Sequence, residues 1–414
     1  MPPPMPFAEE HGGRWRMLAV IGCAELLGMS LWFAATAIAP ELSARWGLSP
    51  GEAGWLTSAV QLGFVAGTLA AAILNLADVI PSRTYFAASA VLAALANLGM
   101  LAAGSFAAAL VLRFATGALL AGVYPPAMKM AATWFRLGRG LAIGVIVGAL
   151  TVGKALPYLI DALGGAEARS VILTTSAMAL AAAGLVLAAY REGPHAFPRR
   201  PFSWQLAGDV ARSRPVRLVT ASYLGHMWEL YCFWTWIATF LAASAAAHAA
   251  GGGTALSSGG VRALAFAVIA AGGIACVAGG WLADRFGRER LVIGSLALSG
   301  SCALGIGLAF AQSLWLLLPI AFVWGMAVIA DSAQFSALVT EEAPPHAVGT
   351  ALTLQLSLGF LLTTVTIQLV PRIAAQAGWQ WAFPVLALGP AFGILAMRSF
   401  RQLRKSGAQA AQPA

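Results

Sequence analysis

Polar breaks divide this chain into about twelve near-continuous apolar segments, each roughly 20–28 residues long. They run over 15–39, 53–76, 84–104, 107–134, 139–163, 170–190, 218–244, 262–283, 291–311, 314–340, 347–371 and 378–397. About 20 apolar residues are what an α-helix needs to cross a bilayer. Helix is expected because backbone in lipid must satisfy its own hydrogen bonds. A membrane β-barrel would show alternating segments of about ten residues, a pattern missing from this sequence. The pattern therefore predicts an all-α polytopic membrane protein with twelve transmembrane helices. The longest polar stretch, Arg191–Arg217, holds Pro194, Pro198, Pro201 and Pro215 with six arginines, and six spans lie on either side of it. It reads as a linker, giving an N-terminal six-helix bundle over 1–192, a cytoplasmic linker over 193–217 and a C-terminal six-helix bundle with a basic tail over 218–414. A second loop, Ala245–Gly260, is rich in Gly, Ala and Ser.

Composition agrees with burial in lipid: 59% of residues are hydrophobic and 10% charged, against about 25% charged in soluble domains. The net charge of +9 suggests nucleic acid until its placement is mapped. Eighteen of the 25 Lys and Arg residues fall on one side of the expected helices, among them Arg16, Arg136, Arg199, Arg200 and Arg401. Arg45, Arg169, Arg262 and Arg372 fall on the other, and Arg113, Lys129 and Lys154 lie inside spans. That asymmetry makes the first side cytoplasmic, with both termini inside, and places the chain in the cytoplasmic (inner) membrane. The first apolar stretch is too long for a signal-peptide core and reads as a retained helix. Cys23, Cys232, Cys276 and Cys302 all fall in apolar spans without metal-site spacing and read as small buried residues.

The loop after span 8 reads Gly280-Trp281-Leu282-Ala283-Asp284-Arg285-Phe286-Gly287-Arg288-Glu289-Arg290. Gly280 lets two helices approach closely, Asp284 can cap a turn or pair with an arginine, Gly287 permits a tight reversal, and the arginines hold the loop at the headgroups. This stretch resembles the G-x-x-x-D-R-x-G-R-R/K signature of the major facilitator superfamily. Span 4, with Arg113-Phe114-Ala115-Thr116-Gly117 followed by Gly122 and Pro125, is similar to that family too. The equivalent first-half loop keeps only Asp78 and Arg83, with Leu74 in place of the first glycine. Asp78 and Asp284 stand 206 residues apart, nearly half the chain, a spacing consistent with two homologous bundles.

The resemblance implies two pseudo-symmetric bundles, each of 3+3 inverted repeats, with a midplane site and transport by rocking of one half against the other. It implies that spans 1, 4, 7 and 10 line the cavity while 3, 6, 9 and 12 face lipid, and that the first-half loop forms a weaker latch here. The glycine-proline motif of family drug antiporters is not matched in span 5, where Lys154 interrupts it.

Ionisable groups inside spans are expensive and mark function by default. Glu25, Arg113, Glu229 and Asp331 lie in spans 1, 4, 7 and 10. His226 and Glu229 are three apart and expected on one helix face; proton coupling, substrate contact and a packing pair all remain open. Asp331 and Gln334 are also three apart, and Gln355 lies in span 11. These amides can bind substrate or join helices. Trp32 follows Glu25 by seven residues on the same face. Arg113 reads either as a proton-transfer or anion-binding group or as a structural partner of a buried acid. Lys154 can bind an anion or neutralise a carboxylate, and Lys129 can snorkel from the inner end of span 4.

The expected function is proton-coupled secondary active transport of a small polar solute by alternating access, leaning to an organic anion. The alternative is proton-driven export of cationic or amphipathic compounds. No nucleotide-binding signature is present, and no nucleophile–base or metal-ligand arrangement marks an enzyme. Expected partners are a small-molecule substrate, protons and the lipid bilayer, with no nucleic acid, cofactor or metal, and the chain is expected to be a monomer.

Overall fold

The computed structural model describes residues 7–135, 138–164, 167–195, 204–344 and 347–410. Arg136, Arg199 and Arg200, with part of the expected linker and tail, lie outside the described residues, as do the side chains of Asp78 and Arg139. Long helices fill the rest: α1 (Phe7–Met29), α2 (Pro50–Ile73), α3 (Ser82–Gly99), α4 (Phe106–Leu120), α5 (Arg139–Leu163), α6 (Ala168–Ala189), α7 (Arg214–Ala250), α8 (Ser258–Phe286), α9 (Arg288–Gly305), α10 (Leu314–Ala330), α11 (Val348–Ala377) and α12 (Leu388–Ala410). Among the described residues there is no strand. Eleven helices are long and apolar enough to cross a membrane. The first body falls outside that count. α1 stops at Met29, and Ser30–Phe33 leave the helix before it resumes at Ala34–Ala37. With that broken body included, the arrangement is consistent with twelve.

Local chemistry explains the starts and breaks. Ser49 accepts the Glu52 N–H while Glu52 accepts the Ser49 N–H, a capping box opening α2. Ser105 and Ser257 cap α4 and α8 in the same way through their hydroxyls. α4 ends at Leu120 and restarts as Tyr124–Ala132, because Pro125 and Pro126 lack N–H donors and fit only a first turn. α10 likewise breaks at Asp331 and continues as Ser332–Glu342. Two of these interruptions are where buried charges gather.

α5 and α8 run antiparallel in contact over their whole length. A side chain at Gly140 would meet Asp284, one at Gly148 the Gly273 carbonyl, and one at Gly280 the Gly140 carbonyl, each at 2.5–2.7 Å from its first carbon. Neither helix could carry bulk there. α2 packs on α11, and α7 packs on both α11 and α12. Bundles of this kind have two ends. The starts of α1, α5 and α7 and the end of α8 share the linker end; the start of α2, Asp161 and Arg262 share the far end. Cys232, Cys276 and Cys302 are buried, whereas Cys23 is exposed; its face of α1 turns outward from the bundle, which corrects the expectation for that residue.

Candidate functional site: a lysine in an aromatic box

Lys154 sits on α5 one turn before Pro157 and is 1% exposed. Three rings surround its ammonium: Trp32 at 3.8 Å, Tyr231 at 4.6 Å and Trp234 at 5.6 Å from their centroids. Its Nζ donates to the Tyr231 hydroxyl. Cation–π attraction and one neutral acceptor thus replace water around the charge. The box comes from three places. Trp32 lies in the break after α1, Tyr231 and Trp234 on α7, and Phe64 of α2 and Phe360 of α11 close it from the side, 4.7 Å apart. Trp32 stacks within 5.2 Å of Phe64 and 5.7 Å of Tyr231.

Glu25 is fully buried, and neither of its carboxylate oxygens accepts a hydrogen bond. Lys154 and Tyr124 are close enough for its charge to act on both, yet no ion pair joins Glu25 to Lys154 among the described contacts. Next to them lies a small, partly open cavity in the linker half of the bundle. Tyr124, Tyr223, Tyr231 and Trp234 contribute its rings, and Ser332 and Ser336 its hydroxyls. On its wall Tyr124, Ser332 and Ser336 are partly exposed, whereas Trp234 is buried, as are Trp32 and Phe33.

Arg113 is equally buried but looks elsewhere. Its Nη1 donates to the Leu31 carbonyl at 3.1 Å and to Asn97 Oδ1 at 3.3 Å, and its Nη2 donates to the Trp32 carbonyl. The guanidinium therefore satisfies the carbonyls freed where α1 unwinds. It pairs with no acid among the described residues, contrary to one of the two readings of the sequence.

His226 and Glu229 also part company. His226 Nδ1 lies 3.0 Å from Asp331 Oδ1 and its Nε2 3.2 Å from Ser332 Oγ. The Asp331 contact is an ion-pair distance off the line of a hydrogen bond, since neither Asp331 oxygen accepts one. Glu229 instead accepts from Ser299 at 2.8 Å and from Trp324 Nε1 at 2.6 Å, facing α9 and α10. Three residues along a helix is near one full turn but not on it, and here the difference sends the two side chains to different neighbours. Gln334 accepts from Arg288 at 2.6 Å, leaving its own Nε2 without a partner. Gln355 is buried with neither amide atom partnered.

Comparison with known proteins decides the family. The sequence profile of the Major Facilitator Superfamily matches residues 20–362 and again 249–414. The chain belongs to the major facilitator superfamily. No curated protein matches its sequence. Among solved structures, a bacterial homologue of the human lysosomal transporter Spinster, inward-facing and unoccupied, superposes with a TM-score of 0.70 at 15% identity, over 94% of this chain and 98% of that one. The human organic anion transporter MFSD10 (TETRAN) gives 0.69 at 15%, over 93% and 99%. A mutant of the nucleoside transporter NupG gives 0.70 at 14%, over 93% and 99%. At such identities the likeness shows the fold. The family is one of multi-pass membrane transporters and not of enzymes.

The loop that carried the resemblance is built as a junction of major facilitator helices. Asp284 lies against Gly140 at the start of α5, where the helix dipole favours a carboxylate. Gly287 adopts φ +94°, a conformation glycine reaches freely. Arg288 reaches Glu341 at 2.8 Å and Asp284 at 3.7 Å, and Arg285 lies over Trp281 and Phe286. In the first-half loop, Arg83 is exposed and donates to the Leu187 carbonyl, and Asp78 falls on the short helix Leu76–Val79. Lys129 reaches the Ala77 carbonyl at 2.5 Å.

Sequence reading missed several groups. Asn97 and Gln61 are neutral polar residues buried at 0% exposure. The reading given to the amides of Gln334 and Gln355 would have found them had it been carried to spans 2 and 3. Asp161 and Arg262 meet at 2.6 Å across α5 and α8 at the far end, and Arg404 binds Glu289, Glu341 and Glu342 within 3.0 Å. These four acids and two arginines lie at span ends, where a charge carries no signal.

Proposed function

We propose that this protein is a proton-coupled secondary active transporter of a small organic anion, working by alternating access in the cytoplasmic membrane with its linker end inside. The halves 1–192 and 218–414, joined by 193–217, rock as a monomer. The observation that carries the reading is the buried ammonium of Lys154, framed by rings beside the cavity and facing an unpartnered Glu25. An isolated buried ammonium is costly, and a carboxylate substrate would satisfy it.

The pair couples the two solutes by charge. With Glu25 ionised, Glu25 and Lys154 sum to zero and hold no anion strongly. With a proton on Glu25, Lys154 is uncompensated and attracts an anion. One proton then moves with one monoanion, and the loaded site is again neutral. His226 and Asp331 lie against each other beside Ser332 on the cavity wall, on the route to the linker end. Arg113, Asp284 and Arg288 hold the helices and loops that must move around the site.

Proteoliposomes given an inward proton gradient should accumulate a labelled organic anion. Glu25→Gln should retain anion exchange but ignore the gradient; a gradient response equal to wild type in that variant sinks the role of Glu25. A second reading, proton-driven export of cationic or amphipathic compounds, draws on one feature. All four carboxylate oxygens of Glu25 and Asp331 lack hydrogen-bond donors, and a cation would pair with them. Exchange of a lipophilic cation for protons, without anion movement, would favour it.

A further inference from the structure

We infer that the substrate is a monoanion whose single carboxylate is joined to a flat, apolar body, and not a dicarboxylate, phosphate, sugar or nucleoside. The inference rests on the anion reading above and narrows it.

Charge sets the first limit. Of the bases buried in the bundle core, Arg113 spends its fork on the Leu31 and Trp32 carbonyls and on Asn97. His226 lies against Asp331. Lys154 alone of the three meets rings and one hydroxyl instead of a carbonyl or an acid. An ammonium is a compact point charge of one unit, and a dicarboxylate or phosphate dianion would bring a second negative charge with no second free base among these three to meet it. One lysine matches one carboxylate.

Two indoles set the second limit. Trp32 and Trp234 are each fully buried, each frames Lys154, and each carries a ring N–H with no acceptor. An indole N–H donates only, and a buried donor without an acceptor is expensive. A carboxylate offers two oxygens, one for the ammonium and one for an indole. The same observation disfavours a cation at this place.

The wall sets the third. Val147, Leu150, Met227, Leu230, Ile329 and Leu356 line the cavity below the box. A solute rich in hydroxyls would lose water there and find only Ser332, Ser336 and the tyrosines. A flat hydrocarbon body loses nothing and stacks on Tyr231 or Phe360.

The test uses the full-length protein in detergent at one pH, with isothermal titration and thermal melting against 3-phenylpropionate, its uncharged amide, succinate and inorganic phosphate. We expect 3-phenylpropionate to bind saturably, at least about ten-fold tighter than the amide, as a hydrogen bond to a buried charge requires, and tighter than succinate or phosphate. Lys154→Met should bring the acid and the amide level. Absence of 3-phenylpropionate binding, or preference for succinate or phosphate, overturns the inference, and these wild-type titrations decide it even if the variant does not fold. Because titration involves no gradient, binding of 3-phenylpropionate with transport indifferent to protons would overturn only the coupling. Gradient-driven uptake of succinate but not 3-phenylpropionate would overturn only the substrate class.

Discussion

Arg113 and Lys154 are two buried bases in the N-terminal half, and their surroundings differ in kind. Arg113 faces two main-chain carbonyls and an amide; Lys154 faces three aromatic rings and a phenol. The first set is mostly backbone, and its two carbonyls cannot be exchanged without unfolding the α1 break. The second consists of side chains alone, which a carboxylate can replace. Burial alone therefore does not mark a transport residue; what partners a buried charge does.

Substitutions at four positions would break or sharpen that contrast. The largest effect is expected from Arg113→Leu. Leaving the Leu31 and Trp32 carbonyls and Asn97 unsatisfied costs about 3 kcal/mol or more, seen as lost folded yield and a lowered melting temperature. Arg113→Lys should recover only part, since a point charge cannot serve two carbonyls as a fork does. A stable Arg113→Leu protein that merely loses anion uptake would erase the distinction. Next, Lys154→Met should cut uptake by about 100-fold while melting near wild type, because methionine matches the lysine stem in size and Glu25 can stay protonated once the ammonium is gone. Collapse of the fold would place Lys154 with Arg113.

Glu229→Gln sharpens the contrast on the acid side. With its oxygens held by Ser299 and Trp324, the variant should lose about 1–2 kcal/mol of stability and keep its response to a proton gradient. Loss of that response would return Glu229 to the coupling site. The smallest effect belongs to Arg262→Gln. Arg262 is partly exposed, so its pair with Asp161 is worth on the order of 1 kcal/mol. Hydrogen exchange at the far ends of α5 and α8 should quicken several-fold, and unchanged exchange would mean that the pair does not bolt the halves together.

The architecture was legible because lipid forces one solution on twenty apolar residues, and the loop at Gly280–Arg290 carried its family in plain sight. The interior was only partly legible. Sequence spacing put His226 with Glu229, but α7 is crowded by several neighbouring helices, and which of them each side chain meets depends on packing that spacing does not encode. The role of Arg113 was hidden for a different reason. Its partners are carbonyls, and every residue has one, so nothing in the side chains of Leu31 or Trp32 announces the contact. Of the tryptophans on α7 only Trp234 frames the lysine, where the α1 break delivers Trp32 to meet it; Trp228 and Trp236 donate to the Val385 and Ile367 carbonyls instead.

The bare seam between α5 and α8 has a mechanical consequence. Over Gly140, Gly144 and Gly148 on one side and Gly273 and Gly280 on the other, main chain lies against main chain. Interlocked side chains would ratchet from notch to notch, whereas smooth backbones can pivot by small degrees. In the rocking motion proposed above the seam would serve as a bearing, and a single wedge such as Gly148→Leu should jam turnover while leaving the binding chemistry intact.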